Sequence, residues 1–217
     1  MSATARARPL QPGEAAPAFT LPAVHREGTV SLSDYRGRCP VLLAIFVGLY
    51  CPFCRRNIVQ LGRTQEKLRA AGVETLAVVA TELDNARLYF KYRPARVALA
   101  ADPELLTHRS FGLPRAKVTD ELMQALQAVP INPTNDPAGP MPLSELGPTL
   151  DRADGFQRTE ADLRDINRQW PQFKGQFLID RGGTVRWANV ECADGDIRGA
   201  GHFPSDDELL DAARLLD

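Results

Sequence analysis

The sequence predicts an α/β fold, with a central mixed sheet flanked by helices. Two observations carry this prediction. Apolar runs of strand length alternate with amphipathic stretches of helical length along the first half of the chain, and a two-strand pattern around a Gly-rich turn follows near the end. Such alternation forms a parallel core, because a crossover helix is the usual route back to a parallel neighbour. The closing pair adds antiparallel strands.

The chain enters this fold through a short hairpin-like segment. Residues 1 to 11 are small, polar and Arg-containing, and we expect them to be disordered. We expect residues 12 to 217 to form a single domain. Its first part has two strand-like pieces about a turn at Gly28, and Val30 and Leu32 alternate with polar residues after that turn.

The parallel core comes next. "VLLAIFV", residues 41 to 47, is a continuous apolar run with β-branched members, as in a strand that is covered on both faces. The helix after it is expected at residues 55 to 71 and ends at Gly72. The elements expected after that helix are a strand at 73 to 80, a helix at 84 to 93, a strand at 97 to 101 and a helix at 103 to 111.

Residues 114 to 172 break this rhythm and are expected to be an insertion in the domain. Thr119 caps one predicted helix, and Thr159 and Asp162 have capping-box spacing at the start of another. Between them, "PINPTNDPAGPMPLSELGP" contains so many prolines that no long regular element is expected. Long insertions are usually lids, interface elements or mobile linkers. "NDPAGPMP" is expected either to cover the cysteines described below or to lie in solvent.

The chain closes with a hairpin and a helix. "GQFLIDRGGTVRWANVEC" reads as two strands joined by a turn at residues 180 to 183. Ser205 and Glu208 then stand in capping-box relation at the start of a terminal amphipathic helix.

Composition excludes several classes of function. With 26 basic and 27 acidic residues the net charge is −1, which gives no electrostatic case for nucleic acid or an anionic membrane. The longest apolar run, residues 41 to 47, is far shorter than the ~20 residues of a membrane span. No apolar stretch follows the early arginines as a secretory signal would require, so we expect a cytoplasmic protein.

The chemistry of the chain centres on "LYCPFCR", directly after the first buried strand. If the turn lies just before it, Cys51 is the cap of the next helix, Pro52 takes the first helical position and Cys54 lies one turn on. Free N–H groups and the helix dipole stabilise an anion at the cap, and the thiolate is the reactive form of cysteine. The two sulfurs can also close a disulfide, so the pair can store and release two electrons.

Two other interpretations of this motif are a metal half-site and an inert buried pair. A closed zinc site needs four ligands, and one CxxC supplies two. Cys39 lies at the far end of the apolar strand, ~20 Å away, and cannot join them. Four cysteines are also too few for a secreted disulfide framework, so redox chemistry is favoured.

Three stretches resemble the peroxiredoxins and related redoxins of the alkyl hydroperoxide reductase/thiol-specific antioxidant superfamily. They are "PGEAAPAFTLPAVHREGTVSLSDYRGRCPVLLAIFVGLYCPFCR", "ADPELLTHRSFGL" and "KGQFLIDRGGTVR". The resemblance covers roughly residues 12 to 113 and 174 to 190. It implies a thioredoxin-like fold and a redox-active cysteine; the insertion and the tail after Cys192 lie outside it.

The resemblance leaves open which sulfur attacks. The peroxiredoxin pattern around the peroxidatic cysteine places that cysteine at Cys54, with Cys51 in the slot of a threonine. Thioredoxins instead attack with the first cysteine, here Cys51, and have a cis-proline before the late strand; Pro171 is expected to lie too far upstream for this. Lys174 falls in the slot of a peroxiredoxin arginine, which keeps the charge but loses the bidentate fork.

Three further residues are candidates for auxiliary roles or for plain packing. Arg55 could lower the pKa of Cys54 or hold an oxyanion, or it could be a surface arginine. Cys192 could resolve an intermediate, although one strand is expected to intervene, so a disulfide with Cys51 would need movement. Cys39 is expected to be a packed residue at the edge of the core.

These observations predict a thiol-dependent oxidoreductase with Cys51 and Cys54 cycling between dithiol and disulfide. The first hypothesis is a peroxiredoxin-like antioxidant that reduces hydroperoxides; the alternatives are a thioredoxin-like disulfide reductase and a non-enzymatic redox-sensing or partner-binding protein. A thioredoxin-like protein or glutathione is the expected reductant, and a homodimer is one assembly open to it. We expect no cofactor, metal, nucleic acid or membrane partner.

Overall fold

The computed structural model describes residues 5–133, 135–137 and 139–216. In chain order the strands are β1 (Thr20–Pro22), β2 (Thr29–Ser31), β3 (Val41–Phe46), β4 (Glu74–Val79), β5 (Ala98–Ala101), β6 (Pro130–Ile131), β7 (Met141–Pro142), β8 (Gly175–Ile179) and β9 (Val185–Val190). The helices are α1 (Pro52–Ala70), α2 (Leu83–Tyr92), α3 (Leu106–Phe111), α4 (Asp120–Ala128), α5 (Leu143–Ala153), α6 (Glu160–Gln169) and α7 (Asp206–Ala213).

A mixed sheet with the strand order β5–β4–β3–β8–β9 forms the centre of the fold. β3, β4 and β5 are parallel, β8 is antiparallel to β3, and β9 is antiparallel to β8. The predicted α/β class and mixed sheet are therefore confirmed. Because β9 runs in the same direction as β3, Cys192, which follows β9, emerges at the same edge of the sheet as Cys51.

Two apolar layers cover the sheet. Every residue of β3 is buried, and its side chains alternate between the layers. Leu42 and Phe46 pack with α1, α2 and α7 on one face. Leu43 and Ile45 pack with the β1–β2 hairpin and α3 on the other. This two-sided burial is the reason for the continuous apolar run in the sequence.

Residues 114–172 are here called the insertion, and the part of them that the structure describes contains three helices and a short hairpin. The caps expected at Thr119 and at Thr159 are present, the latter with its complete capping box to Asp162. The β6–β7 hairpin joins α4 to α5. A third apolar cluster attaches the insertion to the rest of the chain: Leu146 and Leu150 of α5 are fully buried there.

Helix α5 corrects the expectation that prolines exclude a long element from this stretch. The helix starts directly after Pro142 and contains Pro148, which has no N–H to donate to the carbonyl of Ser144. Its buried leucines, Leu146 and Leu150, each contribute roughly 1.5–3 kcal/mol, enough to offset one missing hydrogen bond. Tertiary packing therefore outweighs local propensity here.

The N-terminal segment also differs from expectation. Residues 5 to 11 run beside the end of α3 instead of being disordered. The side chain of Leu10 is fully buried, and its N–H donates to the carbonyl of Phe111 at 3.0 Å. The amino-acid composition does not predict this ordered segment, because one buried apolar residue and backbone hydrogen bonds to the end of α3 are sufficient to hold it in place. Residues 1 to 4 lie outside the described part of the chain.

The C-terminal part forms as the sequence predicts. The hairpin β8–β9 pairs in antiparallel register, and α7 begins with the expected capping box between Ser205 and Glu208. Leu209 and Ala212 of this helix pack against the same layer as α1. Among the described residues, no helix is both long and apolar enough to cross a membrane.

Candidate active site

Cys51 lies at the start of α1, where the chain leaves the sheet and enters the helix. It is the N-cap residue, with an extended backbone (φ −80°, ψ 115°), and Pro52 takes the first helical position. The N–H of Cys54, one turn on, donates to Sγ of Cys51 at 3.4 Å. The sulfur of Cys51 thus lies where unpaired N–H groups and the helix dipole stabilise an anion.

The two thiols of the motif have different surroundings. Cys51 is partly exposed and lines a pocket, whereas Cys54 has no exposed surface. A hydrogen bond from the Cys54 thiol, helped by the charge of Lys174, holds the pKa of Cys51 below its ordinary value despite burial. Burial and that same hydrogen bond raise the pKa of Cys54 well above its ordinary value. Cys51 is the thiol that ionises first.

A buried ion pair lies beside the thiols. Nζ of Lys174, whose side chain is 1% exposed, is 3.0 Å from Oε1 of Glu191. The backbone N–H groups of Lys174 and Gly201 also donate to this carboxylate. Burial lowers the pKa of Lys174, but the charge of Glu191, together with those of Cys54 and Cys51 in their thiolate forms, outweighs burial and raises it. The lysine is therefore charged and contributes a fixed positive charge to the site.

Strand register brings this pair together. Gly175 of β8 is opposite Val190 of β9, so Lys174 and Glu191, one residue further out, are also opposite each other. A bulge between Leu178 and Ile179 shifts the pairing by one residue along the hairpin. Opposite residues of antiparallel strands lie on the same face, and a one-residue slip would turn them to different faces.

The insertion holds the loop that leads into Cys51. The N–H of Gly48 donates to Oε1 of Gln169, at the end of α6, at 2.7 Å. The amide nitrogen of Gln169 donates to the carbonyl of Ala80. The N–H of Leu49 donates to Oγ1 of Thr81 at 3.0 Å, and that hydroxyl donates in turn to an aspartate of α6. These bonds attach the loop both to the end of β4 and to α6.

Arg55 has different partners from those expected. Although it follows Cys54 directly, its guanidinium is buried and binds groups other than the thiols. It donates to the carbonyl of Leu49 at 2.9 Å and to Asp151 of α5 at 2.7 Å, and it lies 3.7 Å from the ring centroid of Phe156. These contacts attach the insertion to α1, because a buried arginine needs its charge paired.

The two remaining cysteines lie outside the pocket that contains Cys51. Cys192 is buried, lines a neighbouring recess and has a left-handed backbone (φ 50°). Burial, with the nearby charge of Glu191, raises the pKa of Cys192 to about 12, so its thiol stays protonated. A resolving role for Cys192 stays a prediction. Cys39 is partly exposed just before β3.

Pro171 is closer to the site than expected. The sequence places it upstream of β8, but it lines the same pocket as Cys51. The Trp170–Pro171 peptide bond is cis. Of the residues that the structure describes, no group of three or more His, Cys, Asp or Glu side chains is arranged to hold a metal ion.

Sequence reasoning missed two residues of the site, Glu191 and Gln169. An acidic residue directly after the apolar strand "VRWANV" was the available signal for Glu191, since a carboxylate at a strand end needs a partner when it is buried. Gln169 offered no signal of its own, because nothing in the helix pattern distinguishes it from an exposed glutamine.

The sheet, the helix-capping cysteine and the buried second cysteine define a thioredoxin-like, thiol-dependent oxidoreductase. A family model described as "AhpC/TSA family" matches residues 12–188, and the chain belongs to that family. No curated protein matches the chain.

Three of the solved structures similar to this chain are described as thiol proteins of two kinds. A structure described as "a putative Thiol:disulfide interchange protein DsbE from Chlorobium tepidum" is 23% identical with a TM-score of 0.51, covering 95% of this chain and 96% of that one. A reduced 2-Cys peroxiredoxin from Plasmodium vivax is 17% identical with a TM-score of 0.59, covering 95% and 81%. Peroxidoxin BcpB from Mycobacterium tuberculosis is 13% identical with a TM-score of 0.57, covering 95% and 96%. At these identities the likeness shows the fold alone.

Proposed function

We propose that this protein is a thiol–disulfide oxidoreductase in which Cys51 attacks and Cys54 resolves. One observation carries the proposal: Cys51 opens to a pocket and its pKa is lowered, whereas Cys54 is sealed from solvent and its pKa is raised. An attacking thiol must be accessible and must ionise readily; of these two thiols, Cys51 is the accessible one and the one whose pKa is lowered.

The reaction uses the two thiols in sequence. The Cys51 thiolate attacks one sulfur of the substrate disulfide, and the other half leaves as a thiolate that takes up a proton. Attack by Cys54 on the sulfur of Cys51 then releases the second half as a thiol and closes the Cys51–Cys54 disulfide. Cys54 must lose its proton for this step; its pKa is raised in part by its bond to the Cys51 thiolate, and that contribution disappears once Cys51 is in the mixed disulfide.

The charge of Lys174 serves this reaction in two ways. It stabilises the Cys51 thiolate before attack, and it favours the Cys54 thiolate when that sulfur must react. When neither thiol is ionised, the carboxylate of Glu191 neutralises the positive charge of Lys174. An external thiol, such as glutathione or a thioredoxin-like protein, then reduces the Cys51–Cys54 disulfide. We assign this cycle to the cytoplasm, because such reductants are available there. A homodimer stays an open proposal for its assembly.

The first test is a trapping experiment. In Cys54→Ser the mixed disulfide on Cys51 cannot be resolved, so we expect it to accumulate and to be visible by non-reducing electrophoresis and intact mass. Cys51→Ser is the matched control and should trap nothing. If Cys54→Ser traps no substrate while Cys51→Ser does, the order of attack is reversed and the proposal fails.

Hydroperoxide reduction is the second candidate, and membership of the AhpC/TSA family favours it. Here the Cys51 thiolate attacks one oxygen of the peroxide, the other leaves as water or an alcohol, and Cys51 becomes a sulfenic acid. Cys54 then displaces water from that sulfur to form the same disulfide. The order with Cys54 as first attacker, which the peroxiredoxin pattern implies, is disfavoured because Cys54 is inaccessible and its pKa is raised.

Stopped-flow mixing of the reduced protein with one equivalent of hydrogen peroxide distinguishes the two candidates. Thiol loss much faster than in free cysteine would favour the peroxidase, and a rate equal to that of free cysteine would favour the disulfide cycle. A protein that reacts quickly with neither peroxides nor disulfides would instead be a redox-sensing or partner-binding protein, the third hypothesis from the sequence.

A further inference from the structure

The pocket above Cys51 lies between the N-terminal end of α1 and the helices of the insertion. It has a volume of about 390 Å³. Pro52 and Phe53 of α1 line its inner side. Leu126 of α4, Leu143 of α5 and Ile166 of α6 line its outer side. The insertion thus supplies apolar side chains from three helices directly over the candidate nucleophile.

The charged side chains that line this pocket are both paired. Glu191 is bound to Lys174 at 3.0 Å, and Arg158 is 3.1 Å from Asp151. Within the described residues, each charged side chain of the wall thus has an ion-pair partner, with Asp151 shared between the buried Arg55 and the 41% exposed Arg158. Burying a charged group in such a surrounding is unfavourable unless it is paired. A disulfide with several ionised groups, such as oxidised glutathione, fits this wall poorly.

The size of the pocket is typical of sites for small organic molecules, which occupy roughly 300–1,000 Å³ and are lined mainly by apolar side chains. A disulfide in a folded protein would instead have to reach Cys51 beneath the helices of the insertion. The geometry favours a small substrate that enters the pocket as a whole.

We propose, on the basis of the function proposed above, that the substrate is a low-molecular-weight disulfide with uncharged apolar groups, which the insertion holds against Cys51. The Cys51 thiolate attacks one sulfur, the substrate S–S bond breaks, and the first apolar half leaves as a thiolate that takes up a proton. Cys54 expels the second and leaves the Cys51–Cys54 disulfide, so two electrons pass from the protein to the substrate. Two equivalents of an external monothiol, or one external dithiol, then reduce the Cys51–Cys54 disulfide and are themselves oxidised to a disulfide.

A matched pair of substrates tests this class. Dipropyl disulfide and bis(2-hydroxyethyl) disulfide are almost equal in size and differ by a methyl group in place of a hydroxyl at each end. The reduced protein is mixed with each, and each rate constant is divided by that of free cysteine to remove intrinsic reactivity. We expect a normalised preference for dipropyl disulfide of about tenfold or more, the usual effect of a small apolar group in an apolar pocket.

A pair of variants on one helix locates the preference. Leu126→Gln makes the wall polar. It should lower several-fold the ratio of the normalised rate constant for dipropyl disulfide to that for bis(2-hydroxyethyl) disulfide. Met123→Gln is the control, because Met123 lies on the same helix but is 39% exposed and does not line the pocket. It should leave the ratio and both rates unchanged. Thermal melting of both variants checks that α4 remains folded.

The outcomes separate this proposal from the function beneath it. Equal normalised rates, or faster reaction of oxidised glutathione or insulin, would overturn the substrate class while leaving the disulfide cycle intact. An unchanged ratio in folded Leu126→Gln would also overturn it. If every disulfide reacts with the protein no faster than it reacts with free cysteine, the proposed function itself fails, and the substrate class fails with it.

Discussion

At the scale of single residues, one hydrogen-bonded cysteine pair contains two thiols with opposite acid–base behaviour. Sγ of Cys51 accepts hydrogen bonds from the N–H and the S–H of Cys54 and also experiences the positive charge of Lys174. All three interactions favour the thiolate form of Cys51. Cys54 is fully buried, so desolvation opposes its ionisation. Sequence spacing alone could not assign these roles, because the two cysteines belong to the same short motif and differ in exposure only after α1 has packed.

Lys174→Met tests the electrostatic part of this assignment. Loss of the positive charge should raise the pKa of Cys51, so the rate of alkylation by iodoacetamide should reach its half-maximum at a higher pH than in the wild type. Glu191→Gln removes the opposing charge and should move the profile to lower pH. Identical profiles for Lys174→Met and the wild type would exclude the lysine as a cause.

The same variant should reduce stability, since it leaves Glu191 buried without its ion-pair partner. Breaking a buried pair in this way costs about 3–5 kcal/mol. The double variant Lys174→Met/Glu191→Gln leaves no unpaired charge and should recover much of that loss. Urea unfolding of the three variants measures the coupling.

At the scale of elements, α6 connects the insertion to the loop before Cys51. Gln169, which is fully buried, accepts from the N–H of Gly48 and donates to the carbonyl of Ala80. The sequence predicted the start of this helix from its capping box, because a cap is a local interaction. It could not predict the role of Gln169, because the two partners lie far away in the chain.

Gln169→Leu should loosen this loop. The substitution leaves the N–H of Gly48 and the carbonyl of Ala80 buried without a partner, at about 1–3 kcal/mol each. We expect faster amide exchange at Gly48 and Leu49 and slower reaction of Cys51 with disulfides. Asn167→Leu, at an exposed position of the same helix, is the control and should change neither. Unchanged exchange at Gly48 in Gln169→Leu would contradict this role.

At the scale of the whole molecule, stability depends on keeping buried polar groups neutral or paired. His108 of α3 is 1% exposed, and among the described residues neither ring nitrogen has a hydrogen-bond partner. Burial, helped by the charge of Arg109, lowers the pKa of His108 from its usual 6.5 to about 3. The folded protein therefore keeps this imidazole neutral where the unfolded chain would protonate it.

This predicts a loss of stability in acid. Between about pH 6.5 and pH 3 the unfolded chain binds a proton at His108 that the folded chain does not, so the free energy of unfolding falls as pH is lowered through that window. Since a tenfold change in proton affinity is worth about 1.4 kcal/mol, the total loss is several kcal/mol.

His108→Met removes this titration and should flatten the dependence of urea-unfolding free energy on pH between 7 and 4. His202→Met, at an exposed position, is the control for replacing a histidine as such. The same slope in His108→Met and the wild type would mean that other groups cause the acid loss.

The sequence by itself determined those features that depend on neighbouring residues. Apolar periodicity gave the strands and most helices, capping residues gave helix starts, and the Cys-Pro-Phe-Cys stretch gave a thiol at a helix cap. The resemblance of ordered motifs added the family and the thioredoxin-like fold.

Only the tertiary structure decided which groups meet and which are buried. The bulge in β8–β9 brings Glu191 opposite Lys174. The packing of α5 over the core gives Arg55 its partner Asp151 and allows this helix to contain Pro148. The apolar side chains of the insertion make the surroundings of Cys51 an apolar pocket. The physical reason is that exposure, charge pairing and pKa depend on residues distant in the chain, whereas helix and strand patterns depend on residues close by.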